Sequence, residues 1–176
     1  FDYEDANPVS EKLYPVMKNG KWGFVNRKGK EKVPCVYAFV SSFSDGRAMV
    51  TDGKKYGIIN ERGKFVLPLE YGQAGLRSMA YIYSDGLAMV EKDGKFGFVD
   101  RDGKVAIPLM YESAYHFAEG LAPVKKDGKW GFINTKGEVI IPFRFEIASF
   151  FENGRAEVYL DGKAHKINTK GQCVKN

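Results

Sequence analysis

The sequence predicts an all-β fold made of five tandem units of about 34 residues, each a three-stranded antiparallel meander. Three observations carry this. The segment Asp127-Gly128-Lys129-Trp130-Gly131-Phe132-Ile133-Asn134-Thr135-Lys136-Gly137 recurs with small changes along the whole chain. Apolar residues stand two apart between glycine-containing turns, which is the period of a half-buried strand. Glycine (20 residues) and aromatics (14%) are abundant, and no apolar run nears the ~18 residues of a membrane-spanning helix.

The register is set by the glycine of the central strand. Gly23, Gly57, Gly97 and Gly131 align, with His165 in the fifth slot, at intervals of 34, 40, 34 and 34 residues. The chain then divides into units 1–34, 35–68, 69–108, 109–142 and 143–176, one repeat domain in a single phase. It starts at Phe1 rather than Met, so residues upstream are expected, and a signal peptide is compatible with that start.

Each unit opens with an aromatic slot (Tyr3, Tyr37, Tyr71, Tyr111, Phe145), followed six residues on in the regular units by a second apolar slot such as Phe43, Phe117 or Phe151. Ala6, Ala114 and Ala148 fall midway. Spacings of three and six predict a tight helical or 3₁₀ turn with one apolar face. Gly46, Gly86, Gly120 and Gly154 then reset the chain. The first strand carries pairs such as Ala88/Val90 and Ala122/Val124 on one face. Asn19-Gly20, Asp93-Gly94, Asp127-Gly128 and Asp161-Gly162 predict tight hairpins. Asp52-Gly53 sits one residue earlier and predicts a different loop.

The central strand places Trp22, Phe24 and Asn26 on one face and Gly23 and Val25 on the other. A glycine mid-strand implies a close neighbour over the backbone, expected to be an aromatic of the adjoining unit, from the Tyr37/Tyr71/Tyr111 slot. Asn26, Asn60, Asp100, Asn134 and Asn168, each three residues before a glycine, predict three-residue hairpin loops with a G1 bulge. The third strand is expected to end at Pro34, Pro68, Pro108 or Pro142, where proline lacks a ladder donor. A lone meander is marginal in water, so the apolar faces must be covered by neighbouring units.

The pattern Gly-Lys-Trp-Gly-Phe-Ile-Asn-x-x-Gly, followed by an apolar run, Pro and Tyr-Glu, resembles the WG (KWG) repeat family of bacterial proteins over essentially the whole chain. Lys21-Trp22-Gly23 and Lys129-Trp130-Gly131 match outright. Lys55-Tyr56-Gly57 and Lys95-Phe96-Gly97 keep the aromatic-glycine pair, and Lys163-Ala164-His165 has lost it. The resemblance implies tandem β repeats, often in envelope-associated or secreted proteins. It implies no catalytic residues and no cofactor.

Several residues could carry chemistry. Net charge is +5, too mild for a nucleic-acid-binding arm. His116 and His165 have no partner at metal-ligand spacing. Cys35 and Cys173 occupy apolar slots and are expected to be small buried hydrophobes, able to form a disulfide only if the array closes. Asp100-Arg101-Asp102-Gly103 resembles part of a calcium loop, but its counterparts mark a plain hairpin loop. Lys21, Lys55, Lys95, Lys129 and Lys163 share one slot; they form either a solvated edge or a groove for an anionic polymer. The third unit has six extra residues within 72–82. An irregular loop suits selective contact, so Arg77, Met79 and Tyr81 are candidate partner-binding residues, with Lys55, Lys95 and Lys129 beside them.

The expected architecture is an open solenoid-like array, because unit five looks like a terminal cap, with a closed five-bladed propeller-like ring as the alternative. The expected function is a non-catalytic binding or scaffold module for protein partners at the bacterial envelope or outside the cell. The alternative is a carbohydrate or anionic-polymer binder; an enzyme fits least, since no catalytic constellation departs from the repeat.

Overall fold

The computed structural model describes residues 5–6, 13–44, 46–72 and 83–174, and in them every regular element is a β-strand. The sequence folds as five antiparallel sheets, one per repeat. It falls into two compact bodies, Phe1–Gln73 and Ala74–Asn176. The first body holds β1 (Asp5–Ala6), β2 (Leu13–Lys18), β3 (Lys21–Asn26) and β4 (Glu31–Tyr37), then β5 (Phe39–Val40), β6 (Arg47–Thr51), β7 (Tyr56–Asn60) and β8 (Phe65–Tyr71). The second holds β9 (Ala88–Lys92), β10 (Lys95–Val99) and β11 (Val105–Tyr111) of unit three. Unit four contributes β12 (Ser113–Ala114), β13 (Leu121–Lys126), β14 (Lys129–Asn134) and β15 (Val139–Phe145). Unit five contributes β16 (Ile147–Ala148), β17 (Arg155–Leu160) and β18 (Lys163–Asn168).

Both turn chemistries are as expected. Asn19, Asp93, Asp127 and Asp161 have φ of 50–53°, and the glycine after each is also left-handed, the geometry of a type I′ hairpin. In the second turn the Asn26 carbonyl accepts the Gly29 N–H, and its side-chain oxygen accepts from Lys28 and Lys30 amides at 3.0 Å. Asp100 uses one carboxylate oxygen the same way, on the amides of Asp102 and Lys104. That accounts for the calcium-like stretch as a hairpin loop.

In units two, four and five the segment after the opening aromatic is not a helical turn but a short strand, and in unit three it lies outside the described residues. Val40, Ala114 and Ala148 pair with Val50, Val124 and Val158 on the inner edge of the sheet. Flanking amides, such as Glu112 to the Lys125 carbonyl and Tyr115 to the Pro123 carbonyl, extend the ladder. Two apolar positions three apart cannot separate a turn from a kinked strand. The backbone N–H groups decide it, because the adjoining strand offers them acceptors. Units two and four therefore have four strands rather than three, as does the sheet β1–β4 of unit one.

The prolines do not end the third strand. It runs on through Pro34, Pro68, Pro108 and Pro142 to the aromatic, so Tyr37, Tyr71, Tyr111 and Phe145 complete the preceding sheet rather than open the next. Pairing shifts at the proline: Phe24 faces Val33 and Trp22 faces Tyr37, leaving Pro34, Cys35 and Val36 opposite Gly23 alone. The same bulge recurs opposite Gly57, Gly97 and Gly131. Proline is tolerated there because a bulge breaks the ladder.

This bulge explains the glycine. A Cβ on Gly23 would lie 2.5 Å from the Val33 carbonyl oxygen and 2.7 Å from the Cys35 nitrogen; on Gly97 it would lie 2.7 Å from the Ile107 oxygen. The close neighbour is the backbone of the third strand of the same sheet, not an aromatic from the Tyr37/Tyr71/Tyr111 slot, and at Gly131 the Phe143 ring also comes within 3.0 Å. At His165 the described residues place no such bulge, so a side chain is accommodated.

The core lies between successive sheets. In the first body Trp22, Phe24 and Val33 pack with Val40, Phe43, Val50 and Ile59. In the second, Phe98 and Ile107 pack with Phe117, Ala122 and Ile133, then Trp130, Phe132 and Ile141 with Phe151, Val158 and Ile167. One aromatic pair repeats: Phe24–Phe43 and Phe98–Phe117 at 4.8 Å, Phe132–Phe151 at 5.0 Å. Each such pair adds about 0.5–1.5 kcal/mol beyond its area. Polar links join the turns of successive units: Gly120 N–H donates to Asp85 at 2.9 Å, and Gly154 N–H to Glu119 at 2.8 Å.

Candidate functional site

The repeat leaves two kinds of surface, the turn ends that carry the lysines and the short-strand segments that carry exposed aromatics. Lys95 and Lys129 are exposed at the first position of the central strand, each directly across the hairpin from a second lysine, Lys92 and Lys126. Carboxylates interleave with them. Glu112 accepts the Gly128 N–H at 3.1 Å and Glu146 the Gly162 N–H at 3.1 Å, so the Glu of the Tyr-Glu motif pins the next hairpin turn. Glu91 does the same for Gly94 at 2.7 Å. The lysine slot therefore sits in a mixed-charge rim rather than a purely cationic groove.

Lys55 is half-buried and sits in the variant loop. There the Asp52 carboxylate accepts the amides of Lys54 and Lys55 at 2.8 Å. Those backbone hydrogen bonds hold the Asp52 carboxyl below the usual range. A depressed folded value means the contribution is present above the unfolded pKa and is lost as pH falls through the folded one. Thermal melts of wild type and Asp52→Ala should therefore differ near neutrality and converge in acid; equal melting at neutral pH would show that the loop does not use this carboxylate.

The aromatic surface lies on units four and five. Tyr115 stacks flat on the buried Trp130, with ring centroids 5.3 Å apart and planes inclined by 14°, and remains 46% exposed. Phe150, 42% exposed, lies 5.1 Å from the His116 ring. In the first body Phe39, from a different repeat slot, is 38% exposed and lies 6.3 Å from the Trp22 ring. Beside Phe150 a depression of about 500 Å³ is lined by Ser149, Asn153, Arg155, Glu157 and Lys166. These residues were not singled out by the sequence, although a signal existed. Ser41 and Ser149 stand in Tyr115's slot and Ser42 in Phe150's, so neither aromatic is required by the repeat.

Arg77, Met79 and Tyr81 lie outside the described residues. By sequence Tyr81 stands two residues before Tyr83, as Tyr115 stands two before Phe117, which gives it the same repeat slot. Both cysteines are free thiols. Cys35 is half-buried and burial pushes its thiol pKa up, whereas Cys173 is exposed, contrary to its expectation as a buried hydrophobe. The slot that Cys173 shares explains this: Phe65, Val105 and Val139 are themselves 49–52% exposed, on the outer strand. Among the described residues no helix is long and apolar enough to cross a membrane.

The fold and surface define a tandem β-repeat protein whose cores lie between successive sheets. The chain belongs to the family described as WG containing repeat, matched at residues 1–22, 22–56, 56–96, 96–130 and 130–163. No curated protein matches the sequence. Among solved structures the fold is similar to a eukaryotic initiation factor, at 14% identity and TM-score 0.54, covering 99% of this chain and 55% of that one. It is also similar to Kluyveromyces lactis Hsv2, at 10% identity and TM-score 0.53, covering 93% and 59%. An extracellular domain of a one-component system from B. thetaiotaomicron matches at 11% identity and TM-score 0.43, covering 99% and 30%. The chain thus spans little more than half the length of the first two, and the likeness is one of fold alone.

Proposed function

We propose that this chain is a non-catalytic binding module that presents exposed aromatics of its short-strand segments to a protein partner, at the bacterial envelope or outside the cell. The observation that carries it is the pair Tyr115 and Phe150. Both are large and exposed, Tyr115 where units two and five use serine and Phe150 where unit two uses serine and unit four histidine, so the fold's own core does not require them. Rigid aromatics with polar neighbours make efficient contact surfaces because few rotamers are lost on binding. Arg77, Met79 and Tyr81 belong to the same reading through Tyr81's equivalent slot, and Lys95 and Lys129 contribute rim charge.

A second reading, a carbohydrate ligand, is favoured by one feature. The depression beside Phe150 joins an aromatic face to amide, carboxylate and cationic groups, the mixture that sugar recognition uses. Probing glycan, peptide and nucleic-acid arrays with wild type and with Tyr115→Ala/Phe150→Ala separates the two. Peptide hits lost in the double variant support the first reading, and glycan hits lost in it support the second. Hits unchanged in the variant remove the aromatic surface from both. Tyr115→Ala gives up the stack on Trp130 and should cost about 0.5–1.5 kcal/mol, so a cooperative melt of the double variant is the check that any lost hits do not come from unfolding.

A further inference from the structure

Two of the positions where unit five departs from the repeat meet in space. His165 takes the slot of the central-strand glycine, and Cys173 the slot of Phe65, Val105 and Val139. A bridge between Ile167 and Cys173, with Val174 N–H donating to the Lys166 carbonyl at 2.8 Å, folds the chain back across β18. Cys173 Sγ then lies 4.0 Å from His165 Nδ1. Both side chains line an open depression of about 410 Å³, together with Ala164, Lys166, Val174 and Glu157.

We propose that Cys173 and His165 form a two-ligand binding site for a soft monovalent metal ion of the Cu(I) class. Thiolate is the ligand that selects such ions, and imidazole binds copper well. The separation fits. With metal–ligand bonds of about 2.0–2.3 Å, one ion can reach both atoms across 4.0 Å. Two protein ligands suit a soft ion of low coordination number better than zinc, which takes four. Among the described residues no three metal-ligating side chains converge, so the site offers two protein ligands and open space. Binding replaces the thiol proton, which passes to solvent, and needs no change of oxidation state. Glu157 and Lys166 on the same wall offset each other's charge. The competing explanation is a thiol–imidazole hydrogen bond and nothing more.

The test is anaerobic titration of the whole chain with Cu(I) against a chromophoric Cu(I) chelator. One ion per chain is expected for wild type and for Cys35→Ser, and none for Cys173→Ser. His165→Gln should lose at least the roughly tenfold in affinity that disturbing even an outer partner of a metal site costs. X-ray absorption of the loaded protein should show one sulfur and one nitrogen neighbour. No uptake by wild type, uptake retained in Cys173→Ser, affinity unchanged in His165→Gln, or a sulfur-only coordination shell would each leave the pair as a hydrogen bond and overturn the site. Far-ultraviolet melts of the variants exclude unfolding as the cause of any loss, since neither residue belongs to the buried core.

Discussion

Gly131→Val is expected to destabilise the second body by roughly 1–3 kcal/mol, at the upper end of that overpacking range. The reason is what the new side chain would meet. A Cβ at this position lies 2.7 Å from the Ile141 carbonyl oxygen and 3.0 Å from the Phe143 nitrogen. A flexible side chain could swing aside; a carbonyl oxygen cannot move without carrying its peptide unit. The strand would have to lift away, loosening the pairs Phe132 with Ile141 and Trp130 with Phe145 on either side of the bulge. His165→Val supplies the control. It sits in the same repeat slot with no bulged strand across it among the described residues, and should shift stability by no more than about 0.5 kcal/mol. Denaturant melts of the two variants measure the difference. Equal stability of Gly131→Val and wild type would mean that the bulge yields freely and that the glycine has another cause.

Much of this architecture was legible in the sequence, and the failures have physical reasons. The hairpin turns were readable because left-handed backbone restricts residue choice, so Asn-Gly and Asp-Gly announce themselves. The glycine's crowding was also readable, but not its source. Proline suggested a strand end because it lacks a donor; the structure uses the same property to sit in a bulge within a longer strand. Three residues opposite one leaves no mark in a hydrophobic pattern, and it is this bulge that sets the central glycine. The short strands β5, β12 and β16 were missed because two residues are too few to show a period. At the surface, attention to length breaks pointed to residues 72–82, whereas Tyr115 and Phe150 break the pattern by residue type within a slot of normal length. His165 and Cys173 were read as separate substitutions, although the predicted Asn168–Gly171 hairpin loop is what brings them together; each was weighed by its slot and not by its partner across the turn.

Removing unit five should make the chain aggregate. Because β15 runs to Phe145, the clean cut deletes 146–176; a cut at 142 would also remove half of that strand. The deletion strips the partners of Trp130, Phe132 and Ile141, which pack on Phe151, Ala156, Val158 and Ile167. Aromatic side chains of this size bury about 150–250 Å² each, so the bared face would approach or exceed the few hundred Å² that soluble monomers tolerate. Unit five escapes this fate by its residues. Lys166 stands in the slot of Phe132, Ala164 in that of Trp130, and Glu157 and Arg155 in those of Pro123 and Leu121; Glu157, Arg155 and Ala164 are exposed. That composition gives unit five a polar face where unit four has an apolar one, and a polar face can stay uncovered. Copying it should therefore repair the truncation: the shortened chain carrying Phe132→Lys and Trp130→Ala should stay monomeric, while the shortened chain alone should aggregate and bind a hydrophobic dye. Phe132→Lys in the intact chain should do the opposite and destabilise, because it buries an ammonium against Phe151 without a partner. Light scattering of the two truncations decides the matter. A monomeric, dye-silent truncation without the repair would show that unit five does not cover unit four in the way its core implies.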